Sequence, residues 1–172
     1  MTSGVETRRQ APTIRVAEPG DLPAIVAIYN EAVAEGNATC DLSAVAVDAR
    51  VAWLEDHRDP YGVWVAEADG EVVGWVALSA YDDKPCFSRT GSITTYVSRA
   101  ARRRGVASSL RRHLVEEARA RGFHALVSRV WATNDASIAM IRRFGWEEVA
   151  HLREVVEYDG RFIDCHLFQT VL

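Results

Sequence analysis

Tyr96-Val97-Ser98-Arg99-Ala100-Ala101-Arg102-Arg103-Arg104-Gly105-Val106-Ala107 joins the end of a β-prone run to the start of a helix. The run is Ser92–Val97. The helix reaches Arg121, with Val106, Leu110, Leu114 and Ala118 recurring along one apolar face. The turn between them, from Ser98 to Gly105, is basic, irregular and too short to be a domain of its own. Backbone N–H groups at a helix start point outward, and the helix dipole adds positive potential there. Gly105 lets the backbone approach a ligand with no Cβ in the way. Arg102, Arg103 and Arg104 add charge-assisted donors. These features suit an anion, and a pyrophosphate in particular. A solvated basic turn fits the same residues. So does a nucleic-acid contact, although the wider basic surface and interleaved aromatics of such a protein are missing.

Outward from this stretch the chain alternates α and β signals. Thr13–Val16 is a short strand, and Asp21 is placed to N-cap a helix from Leu22 to about Ala34. Leu22, Ile25, Val26, Tyr29 and Val33 form that helix's apolar face. Residues 36–47 read as loop and 48–57 as a short helix. Residues 62–68 and 71–78 are strands around Asp69-Gly70, a strong hairpin signal. The segment 81–88 is polar, contains Pro85 and reads as loop. Gly122 ends the long helix. Residues 125–131 form a buried-type strand, 136–144 a short helix ending at Gly145, and 146–156 and 162–172 two strands joined at Asp159-Gly160. The order β-α-α-β-β-β-α-β-α-β-β describes one α/β (α+β) domain. Its sheet is mostly antiparallel, with a parallel step across the long helix.

The length of 172 residues and the 48% hydrophobic content fit a single domain over residues 13–172. Residues 1–12 are polar, lack a signal-peptide core and read as a disordered lead-in. Charge is nearly balanced, with 20 Lys+Arg against 24 Asp+Glu. Nothing global marks a nucleic-acid or membrane-surface protein. No apolar run approaches the roughly 18 residues needed to span a bilayer. Cys40, Cys86 and Cys165 are widely spaced, and neither they nor the histidines form a metal-ligand cluster. Free thiols in the cytoplasm, with no metal, are expected.

Arg102-x-x-Gly105-x-Ala107 matches the Q/R-x-x-G-x-G/A signature of the GNAT superfamily, between the right strand and the right helix. Asn134, Ser137, Gly145 and Trp146 resemble its downstream N-x-x-A/S and G-F/Y pattern. Ile28-Tyr-Asn-Glu-Ala-Val with Asn37-Ala-Thr, and Phe162-Ile-Asp with Phe168-Gln, resemble one subgroup, the phosphinothricin and methionine-sulfoximine acetyltransferases. The resemblance spans about Ile14 to Leu172. It implies a GNAT-type mixed sheet of about seven strands flanked by about four helices, with acetyl-CoA as co-substrate. It implies that Thr95, Tyr96 and Val97 pair with the pantetheine arm, one N–H of that strand polarising the thioester carbonyl. Arg102, Arg103, Arg104, Gly105, Val106 and Ala107 match the pyrophosphate loop, and Asn134 and Ser137 match a polar pair on the pantetheine side. Tyr96 as core packing and Asn134 as a helix cap are the plainer readings. The implied reaction is direct attack of an amine on the thioester, in a homodimer.

Two departures from the subgroup bear on chemistry. Ser92 stands where the subgroup has its Glu, the supposed general base, and Ile141 stands where many relatives have a Tyr acid. Serine is no base at neutral pH, but it can order a water that relays a proton. Replacement candidates are Glu31, Asp41, His151, Glu154, Glu157, Asp164 and His166. Ser92 and His166 are the expected catalytic positions, with Asp164 on the face of His166 to raise its pKa and orient it. A surface histidine on an edge strand is the plainer reading. Tyr29, Tyr81 and Asp82 are the expected substrate-side residues. Tyr81-Asp82 replaces a Trp followed by Lys or Arg, and that charge reversal favours a cationic over an acidic substrate. If the loop is shifted, Lys84 or Arg89 takes the cation's role. Three functions remain open: acetylation of a primary amine on a small molecule, amino acid-like or otherwise; acetylation of a protein or peptide N-terminus; and a non-catalytic acyl-CoA-binding module.

Overall fold

The computed structural model describes residues 11–172. The expected lead-in lies, for residues 1–10, outside the described residues. The elements are β1 (Thr13–Val16), α1 (Leu22–Glu35), α2 (Val51–Asp56), β2 (Gly62–Ala68), β3 (Glu71–Ala80), β4 (Thr90–Val97), α3 (Val106–Ala120), β5 (Ala125–Trp131), α4 (Asp135–Arg143), β6 (Glu147–Tyr158) and β7 (Arg161–Val171). The expected element order and mixed α/β class are observed. Both Asp-Gly pairs turn hairpins with positive φ at both residues, 54° and 80° at Asp69-Gly70 and 48° and 69° at Asp159-Gly160.

The seven strands form one sheet in the order β1-β2-β3-β4-β5-β7-β6. Every neighbouring pair is antiparallel except β4 and β5. Strand alternation sends side chains to two different cores. Val76, Leu78, Ile93, Leu126 and Phe168 meet Leu110 and Leu114 of α3 and Ile141 of α4. Val63, Val65, Trp75 and Ala77 meet Ile25, Ile28 and Tyr29 of α1, with Trp53 and Leu54 of α2 against them. Gly91 sits at the junction of three strands. A Cβ there would come within 2.5 Å of Leu78 Cδ1 and 2.9 Å of Leu126 Cδ2.

The start of α1 differs from expectation. Asp21 occupies the N-cap position, but its side chain makes no cap bond. Its carboxylate accepts from Arg15 Nη1 at 2.7 Å and Nη2 at 2.8 Å, and from the Glu18 N–H at 2.8 Å. Pro19 opens a short 3-10 turn ahead of α1, so Asp21 is already helical and its oxygens point back toward β1. The second helix is also shorter than expected, because Asp48–Arg50 forms a 3-10 turn before α2.

Arg111 of α3 is buried against Ser128 and the ring of Trp146. Its Nε and Nη1 have no partner among the described residues, and burial pushes its pKa down to about 10. A buried charge without a carboxylate opposes folding, and an apolar side chain of similar length removes that cost. Arg111→Met is expected to stabilise the fold by about 1–4 kcal/mol, read as a higher urea midpoint at unchanged slope. An equal or lower midpoint would contradict this.

Candidate active site

β4 and β5 pair only through Thr90↔Ala125, Gly91↔Leu126 and Ser92↔Val127. Beyond Ser92 they part. β4 stays paired with β3 as far as Val97, and β5 stays paired with β7 as far as Trp131. Ile93–Val97 and Ser128–Trp131 therefore face each other across a seam with no ladder partner. Backbone donors and acceptors in such a seam need water or a ligand. Thr95 lies on it, and its buried hydroxyl has no partner among the described residues.

The basic turn closes one end of the seam. Gly105 holds φ +81°, and a Cβ there would meet nothing within 4 Å, so the space before α3 is open. Among the described residues no side chain caps the N–H groups of the first turn of α3, and those of Val106 and Ala107 begin it. The arginines divide their work. Arg102 Nη1 pairs with Glu35 at 2.9 Å, and Arg99 Nε pairs with the same carboxylate at 2.7 Å. Arg103 and Arg104 have no carboxylate partner among the described residues and are exposed. Burial works to raise the Glu35 pKa, but its bonds to Arg102 and Arg99 hold it below the usual range. Glu35 thus stays ionised and ties the turn to the end of α1. An open cradle, an uncapped helix start, two unpaired cations and an orphaned hydroxyl fit a phosphate-bearing chain laid into the seam.

Ser92 and Tyr96 alternate with Ile93, which is buried in the α3 core, so they face α1 and α2. Tyr96 packs at 4.8 Å from Trp75 and 5.2 Å from Tyr29, and its hydroxyl donates to the Ala38 carbonyl at 3.1 Å. Tyr29 donates to Asp41 at 2.5 Å and bonds to Thr39. Arg50 lies 4.3 Å above the Tyr29 ring and 3.8 Å from Asp41. Burial pushes both phenols up, with Asp41 adding to the effect on Tyr29. Both stay protonated at neutral pH.

The other expected site residues are scattered. Asn134 Oδ1 accepts from the Ser137 N–H at 3.1 Å, which caps α4 and leaves the carboxamide NH2 available. Asp82 accepts from the Lys84 N–H at 3.0 Å, and Tyr81 packs on Phe87, both in the exposed loop after β3. His166 does not meet Ser92. It pairs with Val130 of β5 and shares a face with Phe168 of the α3 core, the opposite face of the sheet from Ser92. Its Nδ1 is 2.7 Å from Glu148, whereas Asp164 is bonded to His151 at 2.7 Å and to the Glu154 N–H at 2.9 Å. Asp164 therefore does not orient His166 as the spacing suggested; Glu148 of β6 takes His166, while Asp164 takes His151 of β6.

Residues that the sequence reading passed over lie on the Ser92 face. Arg50, Trp53 and His57 follow one another near helical spacing on a segment read simply as a short helix. His57 Nε2 reaches Ser79 Oγ at 2.8 Å, and Ser79 is the cross-strand partner of Ser92. At the other end of β4 and β5, beside the basic turn, a cleft of about 620 Å³ lies among Glu35, Asn37, Thr133, Tyr158, Arg161 and Asp164.

The acetyltransferase (GNAT) family profile matches residues 24–146. The L-methionine sulfoximine/L-methionine sulfone acetyltransferase of Pseudomonas aeruginosa is 35% identical over 162 residues, covering 93% of this chain and 94% of that protein. The crystal structure of a ribosomal-protein-alanine N-acetyltransferase from Brucella melitensis is 38% identical. It matches with a TM-score of 0.89 over 93% of this chain and 99% of that one. A GNAT superfamily phosphinothricin acetyltransferase from Sinorhizobium meliloti, in complex with acetyl-CoA, is 26% identical. Its TM-score is 0.88 over 95% of this chain and 89% of that one. The chain belongs to the acetyltransferase (GNAT) family. It is an acetyltransferase that uses acetyl-CoA as acetyl donor.

Gly105→Glu tests the cradle. A carboxylate there enters the anion site, and the side chain is strained at positive φ. Calorimetry is expected to show acetyl-CoA binding lost in a variant whose circular dichroism matches the wild type. Unchanged affinity in that folded variant would contradict the assignment.

Proposed function

We propose that this enzyme acetylates the primary amino group of a small amino acid-like or amine substrate. The observation that carries this is the parted β4–β5 seam, with an open anion cradle at one end and the aromatic face around Tyr29, Trp75 and Tyr96 beside it. In this reading Arg103, Arg104 and the first N–H groups of α3 hold the pyrophosphate. Thr95 to Val97 pair with the pantetheine arm, and Asn134 and Ser137 meet its far side. Acetyl-CoA supplies an activated acetyl thioester.

The substrate enters on the α1–α2 face. Acidic groups outnumber basic ones in the adjoining cleft, with Glu35, Asp159 and Asp164 against Arg161. Glu35 is taken up by Arg99 and Arg102, and Asp164 by His151, which leaves Asp159 here and Asp82 in the loop after β3 to favour a protonated amine. Arg50 over the Tyr29 ring is the cation on this face available to a substrate carboxylate, so an amino acid is accommodated if it displaces Asp41. A protein N-terminus is the second reading, and the name of the Brucella relative supports it. The resemblance supports a cytoplasmic homodimer.

An alkylamine of pKa about 10 arrives protonated and must lose that proton before it attacks. Ser92 cannot take it. Instead Ser92 holds a water that passes the proton on. Burial of the amine in the cleft lowers its pKa and helps the transfer.

Coenzyme A release against amines, amino acids and alanine-starting peptides separates the readings. Turnover with small amines or amino acids is expected. Turnover confined to peptides selects the second reading, and acetyl-CoA binding without any transfer indicates a non-catalytic module. With the best amine, Ser92→Ala is expected to slow turnover about tenfold, a barrier of about 1.4 kcal/mol. Ser92→Glu is expected to preserve or raise it. A loss of about a thousandfold for Ser92→Ala, a barrier near 4 kcal/mol, would assign Ser92 a direct role. Sedimentation is expected to give a dimer of the 19.1 kDa chain, and a monomer at micromolar concentration would contradict the assembly.

A further inference from the structure

α2 ends in a way that prepares a base. The His57 N–H bonds to the Leu54 carbonyl at 3.2 Å, an i, i+3 contact that tightens the last turn. The Trp53 carbonyl is thereby available, and it takes a bond from His57 Nδ1 at 2.7 Å. A carbonyl only accepts, so Nδ1 carries the hydrogen and Nε2 presents its lone pair. That lone pair meets Ser79 Oγ at 2.8 Å, so the serine hydroxyl donates to it. The Trp53 ring, 4.6 Å from the imidazole, fixes its plane.

Ser79 stands directly opposite Ser92 across β3 and β4. Cross-strand partners place their Cβ atoms roughly 4.5–5.5 Å apart on one face. Ser79 and Ser92 are not directly hydrogen-bonded, and that spacing suits one bridging water. The line Trp53–His57–Ser79–Ser92 thus runs from the end of α2 to the last residue of β4 paired with β5, where the seam opens.

We propose that His57, acting through Ser79 and Ser92, takes up the proton of the attacking amine, in place of the carboxylate that the resembled subgroup carries at position 92. The inference rests on the acetyl-transfer reading above. The ammonium gives a proton to the water at Ser92, and the water gives one to Ser79 Oγ. Ser79 passes its own proton to His57 Nε2, leaving imidazolium and a neutral amine. The amine nitrogen then forms its bond to the acetyl carbon as the carbon–sulfur bond breaks with its electron pair on sulfur. The thiolate takes the proton that the nitrogen still sheds, and His57 returns its proton to solvent. His57 does not touch the substrate and is a positioning residue.

Burial lowers the His57 pKa below its ordinary value; its bond to the Trp53 backbone and the charge of Asp56 raise it in part, and Arg50 lowers it further. From β3 the ring meets the neutral Ser79. A depressed pKa leaves the imidazole neutral at pH 7. Its capacity to accept a proton disappears only as pH falls through that lowered value.

His57→Gln preserves a hydrogen-bonding side chain but cannot take up a proton. With the best amine at pH 7, kcat is expected to fall about a hundredfold, with acetyl-CoA affinity held within about twofold. The deficit is expected to shrink as pH approaches the pKa of the amine, where free amine needs no acceptor. Ser79→Ala should give the same profile, and the double variant His57→Gln/Ser92→Glu should regain turnover. A His57→Gln enzyme with wild-type turnover and an unchanged acidic limb overturns the relay. A deficit of equal size at every pH also overturns it, since that is the mark of a structural role. A wild type that acetylates no amine removes the acetyl-transfer reading itself, and the relay with it.

Discussion

Among the described residues β4 and β5 are the only parallel neighbours in the sheet, and their pairing stops at Ser92↔Val127. Each strand is fully paired on its other side, so the sheet does not fray. It opens along one internal seam with fixed walls. Peptide groups facing that seam have to be satisfied from outside the sheet, and a ligand with its own amides can do so. In the proposed reading the seam places a thioester beside Ser92 and aims the start of α3 at the cofactor's phosphates. Packing against the two helical layers holds those walls, with Leu110 and Leu114 on one side and Ile25 and Tyr29 on the other.

Electrostatics refine this frame. Glu35 gathers Arg99 and Arg102, which neutralises two cations of the basic turn and leaves Arg103 and Arg104 without a carboxylate among the described residues. The same contact fixes the end of α1, and therefore the loop that carries Thr39 and Asp41, relative to the basic turn. In the proposed reading one carboxylate thus ties the cofactor loop to the substrate face. The Tyr29–Asp41–Arg50 group then sets the polarity of the α1–α2 face of the sheet.

Local pattern made much of this visible. The apolar spacing in α3, the positive-φ demand at Asp69-Gly70 and Asp159-Gly160, and the strand–arginine–glycine–helix passage each act within a few residues. Their meaning survives without knowledge of distant contacts. The same holds for Asn134, whose capping bond reaches only to Ser137. Asp21 shows where locality ends. Its sequence position reads as a cap, but a guanidinium from β1 offers two charge-assisted bonds and takes the carboxylate.

What the sequence by itself determined is the set of elements, their order, the basic turn before α3 and the serine at position 92, because these follow from residue type and short-range geometry. What only the tertiary structure decided is which side chains share a face at the seam. His166 and Ser92 are separated by the parity of two strands that sequence spacing cannot relate. His57 and Ser79 are brought together by the docking of α2 on β3. That contact depends on where a helix ends against a sheet, which is settled by packing rather than by any local preference of its residues.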